Sequence, residues 1–256
     1  PTIVSDGVGG AIVTWSDLRA PTGVDIYAQR VSAAGTPLWT PDGVGLCTDA
    51  SEQRFPTSVS DGAGGAIVTW FDLRSGTSYD IYARRVSAAG TPLWTADGVA
   101  LCTATEDQFN PTIASDDAGG AIVTWFDRRN GVNNEDIYAQ RVSAAGAPQW
   151  TADGVALSAA VGNQKYPAIA SDGTGGAIVA WWDARNGAEF DIYAQRIERF
   201  GQLGNPEPAI TSVSDVPNDQ GGFVKVSLDA SYLDAHPRYG VYEYRVFRSV
   251  PGLLAT

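Results

Sequence analysis

The chain has 256 residues, of which 44% are hydrophobic and 10% aromatic, enough to build a sizeable core and to exclude a disordered chain. Acidic residues outnumber basic ones by 29 to 17, and the net charge of −12 disfavours nucleic acid and anionic membranes as partners. The sequence contains no apolar run of about 18 residues, so we predict no membrane insertion.

One pattern recurs four times before residue 205. It begins with Ser-Asp and a glycine-rich turn, continues with Ala-Ile-Val and a Trp, and ends after a variable loop with Asp-Ile-Tyr-Ala. The copies span residues 5–30, 60–85, 115–141 and 171–196. A repeat of about 55 residues indicates that one structural unit is used several times.

Each repeat predicts four short β-strands. A first strand follows a proline (Pro1, Pro56, Pro111 or Pro167), and the second is the apolar run rich in β-branched residues, typical of a strand buried on both faces. The third is the Asp-Ile-Tyr segment, and the fourth covers residues 37–47 in the first copy. Helical periodicity and helix caps are absent from the sequence, so we predict an all-β fold.

Four antiparallel strands in each repeat are typical of a β-propeller blade. We therefore predict a β-propeller over residues 1–204 with blades at 1–55, 56–110, 111–166 and 167–204, the last without its fourth strand. The composition of residues 205–208 predicts a linker. The pattern of residues 209–256 predicts part of a β-sandwich, with strands at 223–228 and 242–247. The chain contains no Met and the sandwich segment is short, so we expect a piece of a larger protein.

These motifs resemble known families. The Asp-Ile-Tyr segment is similar to the third strand of a TolB-type blade, and Ser-Asp-Gly-x-Gly-Gly followed by Trp is similar to the sialidase Asp-box, although here Ser and Asp are adjacent and Trp lies farther along. Residues 209–256 resemble part of a fibronectin type III or immunoglobulin-like module. The resemblance implies a secreted bacterial propeller at the cell surface or outside the cell. Sialidase catalytic residues are not carried over, because every candidate occurs in all copies.

For residues that recur in all four copies we predict structural roles. The Asp that opens each glycine-rich turn would bond the backbone two residues on, with a calcium site as the alternative interpretation; these residues are Asp6, Asp61, Asp116 and Asp172. A second Asp lies two residues before an Arg in every copy and predicts an ion pair. We expect the repeated Trp to fill the space between blades, and Cys47 and Cys102 to be buried free thiols.

Binding is predicted where the copies differ. Because strands alternate in direction, the loops after the second and fourth strands of a blade share one face, and these are the loops that vary. Drift in unconstrained loops explains the variation equally well. The candidate residues on this variable-loop face, for a protein or glycan partner, are Phe55, Tyr79, Phe109, Glu135, Tyr166 and Phe190.

The leading functional prediction is a non-catalytic extracellular module for binding or scaffolding, in adhesion, surface assembly or protein interaction. It rests on the lack of a unique catalytic constellation, since the sole histidine, His236, has no identifiable nucleophile partner. No catalytic residue and no cofactor is predicted. One alternative is a secreted glycan-binding or glycan-hydrolysing propeller with the aromatic residues as stacking platforms. Another is a self-assembling oligomer or filament that pairs through open blade edges.

Overall fold

The computed structural model of the protein describes residues 1–19, 23–187 and 189–204 with their side chains, and the backbone of residues 209–215 and 224–229. The chain divides into two units, Pro1–Gly204 and Asn205–Thr256. All regular structure in the described residues is β, as predicted. The described residues include no helix long and apolar enough to cross a membrane.

The first unit consists of four antiparallel sheets in chain order, one for each repeat. Blade 1 contains β1 (Thr2–Ser5), β2 (Ala11–Asp17), β3 (Asp25–Val31) and β4 (Val44–Cys47). Blade 2 contains β5 (Gln53–Ser60), β6 (Ala66–Asp72), β7 (Asp80–Val86) and β8 (Val99–Cys102). Blade 3 contains β9 (Gln108–Ser115), β10 (Ala121–Asp127), β11 (Asp136–Val142) and β12 (Val155–Ser158). Among the described residues, blade 4 contains three strands, β13 (Gln164–Ser171), β14 (Ala177–Asp183) and β15 (Asp191–Ile197). The repeated four-stranded sheets define a propeller-like all-β fold, and a blade 4 of three strands in the described part of the chain agrees with the prediction.

The strands differ from the prediction at both ends of a blade. The fourth strand is much shorter than predicted, because Asp42 and Gly43 adopt positive φ and turn the chain just before β4. Pro37, the predicted start of that strand, makes only an isolated bridge to Val31. The first strand of blade 2 begins earlier than predicted, at Gln53, and therefore crosses the predicted boundary between residues 55 and 56.

The hydrophobic cores lie between blades. Each blade has a front face, formed in blade 2 by Ile67, Phe71, Ile81 and Ala83, and a back face, formed in blade 3 by Ala121, Val123, Trp125 and Val142. These two faces pack together into one core. The same pairing joins blade 1 to blade 2 and blade 3 to blade 4. Trp70 and Trp125 are fully buried, which confirms the predicted packing role of the repeated Trp. The second strand is apolar on both sides because each side meets a different blade.

A polar cluster stabilises the end of the second strand in each blade. In blade 2, Trp70 Nε1 donates to Asp72 Oδ2 at 2.9 Å, and the Arg74 guanidinium binds the same carboxylate at 2.6 Å and stacks on Tyr82 at 3.8 Å. The predicted Asp–Arg ion pair is therefore confirmed, and it recurs in every blade. The free, buried Cys47 contacts Arg74 at 3.2 Å, and burial raises its thiol pKa to about 12.

The second unit is described only at β16 (Ala209–Asp215) and β17 (Val224–Asp229), which pair antiparallel. The predicted linker at 205–208, the predicted strand at 242–247 and His236 lie outside the described residues. A fibronectin type III or immunoglobulin-like sandwich is not shown by this strand pair.

Candidate functional site

The variable loops meet at one end of the blades. The backbone N–H of Gln108 donates to Tyr79 O at 2.7 Å, and that of Gln164 donates to Glu135 O at 2.6 Å. Gln53 N makes the equivalent bond to Val24 O at 2.7 Å. The loop before the third strand of one blade is thereby attached to the loop that enters the next blade. These bonds place the two variable loop sets side by side on one face.

Aromatic rings form a continuous row across this face. Neighbouring ring centroids lie between 4.9 and 5.9 Å apart, within the range of favourable aromatic pairs. The row extends through blades 2, 3 and 4. We call it the aromatic row, and it consists of Phe55, Phe71, Tyr79, Phe109, Phe126, Tyr166, Trp182 and Phe190.

The five aromatic residues named as candidates from the sequence all belong to this row. Sequence reasoning missed Phe71, Phe126 and Trp182, each of which directly follows the repeated Trp in the second strand. The alternation of side chains along a strand supplies the missed signal. Because the repeated Trp points to the back face of its blade, the residue after it must point to the front face. In blade 1 the residue at that position is Ser16.

The row has a buried base and exposed members. Phe71 and Phe126 are buried, whereas Phe55 is 65% exposed and Tyr166 50% exposed. Trp182 and Phe190, at the blade 4 end, are also about half exposed. Large exposed aromatic groups supported by buried ones give a rigid apolar surface that a ligand can cover without first ordering it.

The backbone is bent where the exposed rings emerge. Phe55, Asn110 and Tyr166 occupy the same position in blades 2, 3 and 4, and their φ angles are 52°, 48° and 53°. Each precedes a proline and lies at a register shift between the first and second strands. Positive φ is rare for a bulky residue, and a β-bulge is a common way to redirect a side chain beside a functional site. These three residues and their prolines line a shallow pocket of about 420 Å³.

Charged groups flank the rings. Glu52 pairs with Arg54 at 2.9 Å and accepts a hydrogen bond from the Tyr79 hydroxyl at 3.3 Å. The Arg54 hydrogen bond holds the pKa of Glu52 below its ordinary value, and burial raises the pKa of Tyr79, with a further contribution from the Glu52 charge. The aromatic face is therefore edged by donors and acceptors.

Glu135 and Asp107 share one guanidinium. Arg128 lies 3.3 Å from Glu135 Oε1 and 3.6 Å from Asp107 Oδ2, and it stacks over Phe109 at 4.8 Å. Lys165 adds a second cation at 3.2 Å from Glu135. Glu135 is 1% exposed, and its Oε2 has no hydrogen-bond partner among the described residues.

The four Asp residues considered for calcium have other partners. Asp6 Oδ1 accepts the backbone N–H groups of Val8 and Gly10 at 3.0 and 2.8 Å, and its other oxygen pairs with Arg30 at 2.9 Å. The hydrogen bond from Val8 contributes most to lowering the pKa of Asp6. Asp61, Asp116 and Asp172 repeat the arrangement. Across the described side chains, no group of three or more metal-ligating residues comes together.

Comparisons with known proteins address the fold. No protein-family model matches the chain, and no curated protein matches it. Solved structures do match, including an endo-arabinase from Bacteroides thetaiotaomicron, at 12% identity and a TM-score of 0.45, over 74% of this chain and 72% of that one. An α-L-arabinofuranosidase from Fusarium graminearum matches at 12% identity and a TM-score of 0.49, over 81% and 68% of the two chains.

A protein of unknown function from Dyadobacter fermentans matches at 13% identity and a TM-score of 0.49, over 75% of this chain and 51% of that one. The leading functional prediction, a non-catalytic binding or scaffold module, is corrected by other matched structures, which carry the names of glycan-cleaving enzymes. Those names are an endo-arabinase, α-L-arabinofuranosidases and a putative exo-β-1,3-galactanase. At these identities the likeness concerns the fold alone, so an activity has to be inferred from the site.

Proposed function

We propose that this protein acts on a carbohydrate, with the aromatic row as the surface that binds the glycan. The single observation that supports the proposal is the row itself, with rings in mutual contact across three blades and with Phe55 and Tyr166 exposed on the variable-loop face. A pyranose or furanose ring packs its C–H face on an aromatic ring, while its hydroxyl groups need donors and acceptors at the rim. Glu52, Arg54 and Lys165 provide such groups beside the rings.

Glycoside hydrolysis is the second part of the proposal, and the shared guanidinium of Arg128 favours it. Because Asp107 Oδ2 and Glu135 Oε1 both contact Arg128, these two oxygens lie no more than roughly 9 Å apart, which is no farther than the carboxyl groups of an inverting glycosidase. Glu135 Oε2 is buried and has no hydrogen-bond partner among the described residues, so one oxygen of this carboxylate is left unsatisfied beside the row. Asp107 and Glu135 are therefore the candidate catalytic pair.

The test of binding is a glycan array and a panel of soluble polysaccharides that includes arabinan, xylan and β-1,3-galactan. We expect Phe55→Ala and Tyr166→Ala to weaken binding by about tenfold or more, because each removes an exposed stacking ring. Val8→Ala is the matched control, since Val8 is 75% exposed in the glycine-rich turn of blade 1 and does not belong to the row. Equal binding by all four proteins, or no binding to any glycan, would overturn the proposal.

The test of hydrolysis is the release of reducing sugar from the polysaccharides that bind. We expect Glu135→Gln and Asp107→Asn each to lower the rate by at least about 100-fold while glycan binding persists. Far-UV circular dichroism checks that the buried Glu135 variant is folded. Binding without cleavage by the unaltered protein would remove the hydrolytic part and leave the glycan-binding part.

We also propose that the protein works outside the cell, as a secreted or surface-attached molecule. The support is the likeness of its repeat to secreted sialidase-like and TolB-type blades and of residues 209–256 to a fibronectin type III segment. Fractionation of the source cells with an antibody against residues 1–204 is the measurement. Recovery of the protein only from the cytoplasmic fraction would refute this location.

A further inference from the structure

Blade 4 presents the same front face as the other blades, but this face is open to solvent. Ile178 is 48% exposed and Ile192 is 70% exposed, whereas their counterparts Ile67 and Ile81 in blade 2 are fully buried. The counterparts in blades 1 and 3 are fully buried as well: Ile12, Ile26, Ile122 and Ile137. The residue type and its place in the strand are the same, so the difference lies in what covers the face. In blades 1 to 3 the back face of the following blade covers it, and in the described part of the chain no blade follows blade 4.

Blade 1 has the complementary opening on its back face. Ala11, Val13 and Trp15 are partly exposed, while the corresponding Ala, Val and Trp of blades 2 and 3 have no exposed surface. The turn after the third strand shows the same difference. In blade 2 this turn packs against blade 1, since a Cβ on Gly90 would meet the Trp39 ring at 2.7 Å. In blade 1 a Cβ on the corresponding Gly35 would have nothing within 4 Å among the described residues.

We propose that the front face of blade 4 binds the back face of blade 1 in a second copy of this chain. The three interfaces inside the chain define what a front face binds, since each one is covered by the same Ala-Ile-Val-x-Trp strand of the next repeat. Both open surfaces are halves of that interface. The contact is heterologous, so copies add head to tail and either close into a ring or extend.

The charge of the protein predicts how this association responds to salt. Each copy carries a net charge of −12, so two copies repel one another at a distance, while the contact itself is formed by apolar side chains. We therefore expect association to strengthen as ionic strength rises. An association held by ion pairs between the copies would instead weaken.

Sedimentation velocity of the 256-residue chain over a wide concentration range tests the proposal. We expect the unaltered protein to associate and Ile192→Asp to associate at least about tenfold more weakly, because the aspartate would be buried against an apolar face. Val161→Asp is the matched control, since Val161 is 85% exposed in a loop outside both faces, and it should associate like the unaltered protein. A monomer at every concentration, or equal association of Ile192→Asp, overturns the proposal.

A mixing experiment separates head-to-tail contact from contact between two equal faces. Val13→Asp weakens the back face of blade 1, and Ile192→Asp weakens the front face of blade 4, so each variant alone should associate at least about tenfold more weakly than the unaltered protein. Their mixture should form a one-to-one dimer and nothing larger, since each partner retains one working face. Failure to combine, with both variants folded by circular dichroism, overturns the proposal. Association of Val13→Asp alone to the same extent as the unaltered protein does so too, since it would indicate that like faces pair.

Discussion

Replacement of Asp80 by asparagine is expected to stabilise the protein at neutral pH and to have little effect in acid. Asp80 is 3% exposed and lies directly opposite Asp72, its register partner on the neighbouring strand. Asp72 is already bound by Trp70 and Arg74. Burial, with the added negative charge of Asp72, raises the pKa of Asp80 from 3.8 to about 6.

The direction and size of the effect follow from this shift. Because the pKa of Asp80 is higher in the folded protein than in the unfolded chain, its proton stabilises the fold fully below about pH 4, and this contribution is lost as the pH rises through about 6. A shift of about two pKa units corresponds to about 3 kcal/mol of unfolding free energy at neutral pH. Asparagine is neutral throughout, so Asp80→Asn avoids the loss.

Urea unfolding followed by tryptophan fluorescence, repeated from about pH 4 to about pH 8, measures the difference. The gap between Asp80→Asn and the unaltered protein should grow across this range toward about 3 kcal/mol. Asp191→Asn is the control, because Asp191 has the same place in the Asp-Ile-Tyr motif of blade 4 but is exposed. A gap that does not change with pH, or a loss of stability at about pH 8, would refute the reasoning.

Three further outcomes are expected. Trp125→Ala should cost about 3–5 kcal/mol of unfolding free energy, because the ring fills the core between blades 2 and 3, and Trp15→Ala, at the partly exposed equivalent, should cost clearly less by urea unfolding. Gly90→Ala should lower the melting temperature more than Gly35→Ala, since φ is 81° and 80° at these positions but only the Gly90 Cβ would meet an indole ring. The Cys47 thiol should resist a disulfide exchange reagent at about pH 8 until urea unfolds the protein, because burial raises its pKa to about 12; rapid modification of the folded protein would contradict this.

The candidate site was only partly predictable. The variable loops and five of the aromatic residues could be found from the sequence, because successive strands run in opposite directions and this places those loops at one end of a blade. The convergence of Asp107 and Glu135 on Arg128 could not be found in this way, since Asp107 precedes β9, Arg128 follows β10 and Glu135 precedes β11, and the three meet only when these strands pair. The positive φ angles at Phe55 and Tyr166 were equally hidden, because a residue before proline ordinarily adopts an extended conformation.

The sequence by itself determined the all-β class, the repeat, and the order and pairing of strands within each blade. These depend on local patterns: the glycine-rich turn, the apolar run and the Asp-Ile-Tyr segment. The tertiary structure decided what each face meets. Ile81 and Ile192 occupy the same place in the same motif, yet one is fully buried and the other 70% exposed. Burial belongs to the pair of blades and not to the strand, so one motif is buried in one copy and exposed in another.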